Sequence, residues 1–146
     1  MTSGDPDPTT ETLMEELLRS TGLLRRRLRA EANPDELTWS QLAIVERLFR
    51  QGAATTADLA RAEGVKPQSM GATLAGLERD GLVARTAHPT DGRQFLYALT
   101  EAGIAARAQH QLLKRAWLAS ALARLDEHEK ESLRTALHVI RRLSET

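Results

Sequence analysis

The 146-residue sequence predicts a mainly α, α+β fold in which amphipathic helices surround one short β-hairpin. Three observations predict it. Hydrophobic residues make up 41% of the chain and aromatics only 3%, so the core rests on Leu, Ala, Val and Ile, which suits helices. Apolar residues recur at spacings of three, four and seven along most of the sequence. The exception is Asp91–Thr100, DGRQFLYALT, where a turn signal at Asp91-Gly92 and a basic residue, Arg93, precede Phe95, Leu96, Tyr97 and Leu99. That is the pattern of a hairpin with a charged tip.

Residues 1–9, rich in Pro, Asp and Thr, read as a disordered tail. A helix is predicted from about Thr10, with acidic residues (Glu11, Glu15, Glu16) near its start and a stripe of Leu13, Leu17, Leu24 and Leu28. Arg25, Arg26, Arg27 and Arg29 crowd its last turns and read as a solvated face, before Asn33-Pro34 breaks the pattern. Thr38 caps a second helix, with Gln41 at capping-box spacing and Leu42, Val45, Leu48 and Phe49 as its apolar stripe. After Gly52, Thr55 or Thr56 caps a short helix to Glu63, with Leu59 and Ala60 inward and Gly64 in the turn. Pro67 opens the next helix, which carries Met70, Leu74 and Leu77 inward and stops at Asp80-Gly81. Leu82-Val83-Ala84 then reads as a strand, His88 to Gly92 as a loop, and Phe95 to Leu99 as the returning strand. Thr100 starts a helix to about Arg124, with Ile104, Ala108, Leu112, Leu113, Ala116 and Trp117 as candidates for burial. Asp126 and Glu129 form a second capping-box pair ahead of a last stripe, Leu133, Leu137, Ile140 and Leu143.

Two helices joined by a glycine turn and followed by a basic-tipped hairpin make a winged helix-turn-helix, an architecture that reads duplex DNA. Residues 38–100 form that module. Residues 10–37 and 101–146 form a helical region whose apolar faces lack a partner inside a compact winged-helix core. Leu13, Leu17, Trp117, Leu133, Leu137 and Ile140 therefore predict packing against a second copy of the chain, as a homodimer.

The formal net charge is zero, which bears on a nucleic-acid binder. Residues 1–37 hold 5 Lys/Arg against 8 Asp/Glu, net −3; residues 38–100 hold 7 against 6, net +1; residues 101–146 hold 8 against 6, net +2. Affinity must then come from a few placed arginines, helix N-termini and dimerisation, not from a broad positive field. The absence of cysteine excludes disulfides, thiol redox sensing and Cys-ligated zinc. The four histidines, His88, His110, His128 and His138, lack metal-ligand spacing, so no metal and no cofactor are expected. No nucleophile elbow or phosphate loop appears, which argues against an enzyme. With no membrane-spanning run and no signal-peptide pattern, a cytoplasmic location is expected.

Within the module, Arg93 at the wing tip is the strongest candidate, as an arginine entering the minor groove, with Gln94 beside it. Asp91 and Gly92 support the wing, Asp91 by holding Arg93 or by fixing the turn. Pro67, Gln68, Ser69 and Met70 open the recognition helix; Gln68 suits an adenine edge, Ser69 a base or phosphate, and Met70 serves equally as core. One turn on, Ala72 and Thr73 can meet thymine methyls. Thr56 can present its hydroxyl and a helix N-terminus to a phosphate, and Arg47 and Arg85 are further phosphate candidates.

The whole order, with Asp91, Arg93, Leu99 and Thr100 closing the wing, resembles the MarR (multiple antibiotic resistance regulator) family. Leu77, Glu78, Gly81, Leu82, Val83 and Arg85 match the family's end of recognition helix and first wing strand. The resemblance implies a homodimeric transcriptional regulator, usually a repressor, bound to pseudo-palindromic double-stranded DNA. It also implies release by a small aromatic or phenolic ligand in a pocket near the dimer interface, for which Trp39 and Trp117 are the lining candidates. One departure stands out: many family members carry Arg or Lys in mid recognition helix, where this chain has Ala72 and Ala75. That shifts weight to the wing and to DNA shape. It also leaves an alternative, a winged-helix protein-interaction module with little DNA affinity.

Overall fold

A computed structural model describes residues 8–145. Its elements run α1 (Pro8–Ala32), α2 (Trp39–Gln51), β1 (Ala54–Thr55), α3 (Thr56–Glu63), α4 (Pro67–Arg79), β2 (Val83–Ala87), β3 (Phe95–Leu99), α5 (Glu101–Leu122) and α6 (Glu127–Ser144). α1 already includes Pro8 and Thr9, so the tail predicted over 1–9 is too long by these two; the rest of it lies outside the described residues. Proline at a helix start costs no hydrogen bond, which lets the helix begin there.

The predicted caps are local devices, and they form as local chemistry dictates. Thr38 Oγ1 accepts from the Gln41 N–H at 3.2 Å while Gln41 Oε1 accepts from the Thr38 N–H at 2.9 Å. Asp126 and Glu129 repeat the arrangement at the start of α6, at 2.7 and 2.9 Å. Each satisfies two backbone donors that a helix terminus would otherwise leave open.

The chain divides into two compact units. One comprises Asn33–Gln111; the other, among the described residues, comprises 8–32 together with 112–145. In the first unit, Ile44, Val45 and Leu48 of α2, Leu59 and Ala60 of α3, and Met70, Leu74 and Leu77 of α4 form one core with Leu37, Leu82 and Val83. Phe49, expected in the stripe of α2, is instead exposed, with the Arg107 guanidinium 3.7 Å above its ring; Ile44 takes the fully buried place. Arg107 also pairs with Glu46 at 2.8 Å, which ties α5 to α2.

The sheet has the order β1-β3-β2, antiparallel throughout. Val83 faces Leu99 and Ala87 faces Phe95 across the hairpin, so β2 runs three residues beyond the predicted Ala84. β1 is a two-residue strand pairing Ala54 with Tyr97 and Thr55 with Leu96.

α5 buries a different face from the one expected. Ile104 and Leu112 are exposed, whereas Gly103 and His110 are buried. The cause is the start of the helix. Thr100 Oγ1 donates to the Gly81 carbonyl at 2.5 Å and accepts from the Gly103 N–H at 3.1 Å, while the Thr100 N–H donates to Leu82 at 3.1 Å. These bonds press Gly103 against the Leu82 carbonyl, and a Cβ there would stand 2.1 Å from that oxygen. Among the described residues, no helix is long and apolar enough to cross a membrane.

Candidate nucleic-acid interface

The helix-turn-helix is built from short-range signals. Thr55 ends β1 and caps α3, its Oγ1 accepting from the Asp58 N–H at 3.1 Å. Thr55 also holds the Asp58 carboxyl below its ordinary range, with help from Arg61. Thr56, the DNA-contact candidate, is the first residue of α3 and half-buried. Gly64 turns the chain with φ 66°, a left-handed conformation that favours glycine. Pro67 opens α4, and the preceding Lys66 makes no side-chain cap. The first amides of α4 thus keep their hydrogen-bonding capacity for a ligand.

Along α4 the predicted reading residues separate by burial. Pro67, Gln68, Ser69 and Ala72 are exposed, and Thr73 is half-buried with its hydroxyl donating to the Ser69 carbonyl at 3.2 Å. Met70 is only 3% exposed and belongs to the core, which corrects its assignment as a base contact. Its position lies on the same side of the helix as Leu74 and Leu77, and an unbranched thioether fills such a gap readily.

The wing tip is a closed hydrogen-bond cluster. Asp91 Oδ1 accepts from the Arg93 N–H at 3.0 Å, an Asx-turn, and Oδ2 accepts from the Gln94 side-chain amide at 2.8 Å. The Gln94 side-chain amide and then the Arg93 N–H hold the Asp91 carboxyl below its ordinary range. His88 Nδ1 accepts from the Thr90 and Asp91 N–H groups at 3.2 and 3.1 Å, a role that the sequence reading did not give it. Gln94 thus supports the turn, while Arg93 is exposed at its apex.

Ion pairing resolves the charge question. In residues 38–100, Arg47 pairs with Glu63 at 2.6 Å, Arg50 with Glu46 at 3.5 Å, Arg61 with Asp58 at 3.2 Å, and Arg85 with Glu78 at 3.6 Å. Arg85 also lies 4.6 Å from the Phe95 ring centroid. Arg47 and Arg85 are therefore engaged within the fold. Among the described residues, the segment's cations outside any ion pair are Lys66, Arg79 and Arg93, at the two ends of α4 and the wing tip. Sequence reasoning passed over Arg79. The signal for it was present, since Ala75 and Gly76 stand where a helical acid partner would precede it.

Of the two tryptophans, Trp39 is exposed at the first residue of α2. Trp117 is half-buried, with the Arg27 guanidinium 6.0 Å from its ring centroid. A surface groove on α1, lined by Pro8, Thr9, Thr12, Leu13 and Glu16, includes neither.

Fold and exposed residues together define a winged helix-turn-helix of the DNA-binding class. Residues 37–95 match the MarR family. An HTH-type transcriptional regulator of Mycobacterium tuberculosis is 37% identical over 113 residues, covering 77% of this chain and 79% of that protein. An HTH-type transcriptional repressor of the same species is 32% identical over 121 residues, covering 83% and 87%. The crystal structure of a transcriptional regulator protein from Pseudomonas aeruginosa superimposes with a TM-score of 0.85 at 31% identity, over 97% of this chain and 99% of that one. A mutant of S. aureus MepR bound to an oligodeoxyribonucleotide shares the fold at a TM-score of 0.70 and 21% identity, over 90% and 96%. The chain belongs to the MarR family: it is a transcriptional regulator with a DNA-binding winged helix-turn-helix, and members of this family are not enzymes.

Proposed function

We propose that this regulator acts as a homodimeric repressor on a pseudo-palindromic operator, each protomer placing the start of α4 in the major groove and Arg93 in the adjacent minor groove. The observation that carries the reading is the placement of the unpaired cations. The module is almost neutral, yet Lys66, Arg79 and Arg93 stand at the ends of α4 and on the wing, where phosphates and a narrow minor groove would meet them. Asp91 does not touch DNA in this reading; it holds the turn that presents Arg93. The name of the M. tuberculosis repressor supports the direction of regulation.

The dimer is supported by α1 and α6, whose leucines include Leu13, Leu137 and Leu143, all exposed in the single chain. Release by a small aromatic ligand beside Trp39 or Trp117 completes the reading as its regulatory input.

A footprint on DNA upstream of the protein's own gene tests it. Two protected half-sites related by a two-fold axis and about 34–36 Å apart, one helical turn, are expected. Protection of a single half-site at saturation would contradict the dimeric reading.

A further inference from the structure

The exposed side of α4 limits which bases it can distinguish. Gln68, Ala72, Ala75 and Arg79 are all exposed and follow the spacing i, i+4, i+7, i+11, one line along the helix. The hydrogen-bonding groups on this side are few. Gln68 offers an amide and Ser69 a hydroxyl, whereas the Thr73 hydroxyl is already donated to Ser69. Residues 67–78 contain no Arg or Lys. Arg79 stands three turns from Gln68, and its Nη2 lies 3.6 Å from where a Cβ on Gly76 would be, so the guanidinium folds back along the helix. Guanine is read chiefly by Arg or Lys at its O6 and N7, and the first three turns of α4 supply neither.

Ala72 and Ala75 present methyl groups. Against an amino or keto edge, a methyl group strips water and returns no hydrogen bond. The apolar group on the major-groove floor is the thymine 5-methyl. Side chains at i and i+3 are about 5–6 Å apart, which spans one to two base steps of about 3.4 Å. Gly71, next to this line, has open space around its Cα, so the helix face is thin enough to lie close to the groove floor.

We propose that α4 discriminates its operator through thymine 5-methyl groups, one seated on Ala72 and one on Ala75, with Gln68 taking an adenine edge nearby. Ala72 and Ala75 are then specificity-determining residues. The proposal rests on the DNA-binding reading above and replaces the thymine contact expected of Thr73, which is half-buried and turned to the Ser69 carbonyl, with one at the exposed Ala75.

The test uses the full-length protein and a duplex it selects from a random pool, with thymines replaced one at a time by deoxyuridine. Deoxyuridine keeps every hydrogen-bonding group and removes only the methyl. In each half-site, two substitutions within two base steps of each other should weaken binding about fourfold each, the value of one buried methyl. Ala72→Ser should abolish the sensitivity at one of these positions and Ala75→Ser at the other, while deoxyuridine elsewhere changes nothing. The deoxyuridine series on unaltered protein needs no variant to fold. If binding is tight and salt-dependent but indifferent to every deoxyuridine, or if the selected half-site requires guanines opposite α4 and no thymine, methyl readout is wrong and DNA binding stands. If no duplex binds at low salt, both readings fail together.

Discussion

At the wing tip, a single aspartate ties together three residues, two through its carboxylate and one through its backbone N–H. Asp91 accepts from the Arg93 backbone and the Gln94 side chain, and its own N–H is bound by His88. Arg93 needs this scaffold because an arginine on a loose seven-residue loop would lose backbone as well as side-chain freedom on binding. Asp91→Ala should leave the melting temperature nearly unchanged, since the half-buried carboxylate bonds only within the wing loop and outside the core, yet weaken DNA binding about fivefold, about 1 kcal/mol of lost wing order. Equal affinity in the two proteins would show that the turn holds without the carboxylate. Because the folded carboxyl titrates below its ordinary 3.8, its contribution to wing order is complete above that value. It is lost only as pH falls through the lowered value. Through Asp91, then, the wing does not respond to pH in the neutral range. The motif Asp91-Gly92-Arg93 was legible because an Asx-turn is local. The part of His88 was not, because a lone histidine in a sequence gives no sign of where its ring turns.

The same contrast governs the elements. Helix ends at Thr38, Gly64, Pro67 and Asp126 were readable because each cap acts within four residues. β1 was not, because a two-residue strand has no period of its own and exists only by pairing with Leu96 and Tyr97, some forty residues on. The buried face of α5 was likewise hidden. Its apolar periodicity pointed to Ile104 and Leu112, but the contact between Gly103 and Leu82 orients the helix. Gly103→Ala should therefore destabilise the protein by about 2–4 kcal/mol, because the new carbon meets a backbone oxygen that cannot move aside. Thermal or urea unfolding measures this; an unchanged midpoint would mean that the start of α5 is free to shift. On α4, Met70, left open in the sequence between base contact and core, illustrates a limit of helical patterns. Met70 lies next to the exposed Ser69, and only the packing of α4 on the core separates them.

At the scale of the molecule, the near-neutral charge becomes intelligible once ion pairs are separated from unpaired cations. Salt bridges within the fold consume four of the module's seven basic residues and leave three for an external anion. The other unit has an unmet apolar requirement. α6 has no buried residue in the single chain although Leu133, Leu137, Ile140 and Leu143 share its apolar face. An isolated helix of this length is marginal in water, so a covering surface is needed. Glutamate at both Leu137 and Ile140 should convert the proposed dimer to a monomer in light scattering and lower thermal stability. A dimer of unaltered mass and stability would remove α6 from the interface.

If the module binds duplex DNA, the cations at the ends of α4 and on the wing must supply the attraction. The most direct measurement is a salt titration of binding to a fluorescent duplex from the region upstream of the protein's own gene, with Arg93→Ala alongside. Log K should fall linearly with log salt, and Arg93→Ala should weaken binding at low salt and reduce the slope by about one for each wing engaged. A folded protein that binds no duplex at low salt, or binds one with an affinity indifferent to both salt and Arg93, would contradict this role for the cations.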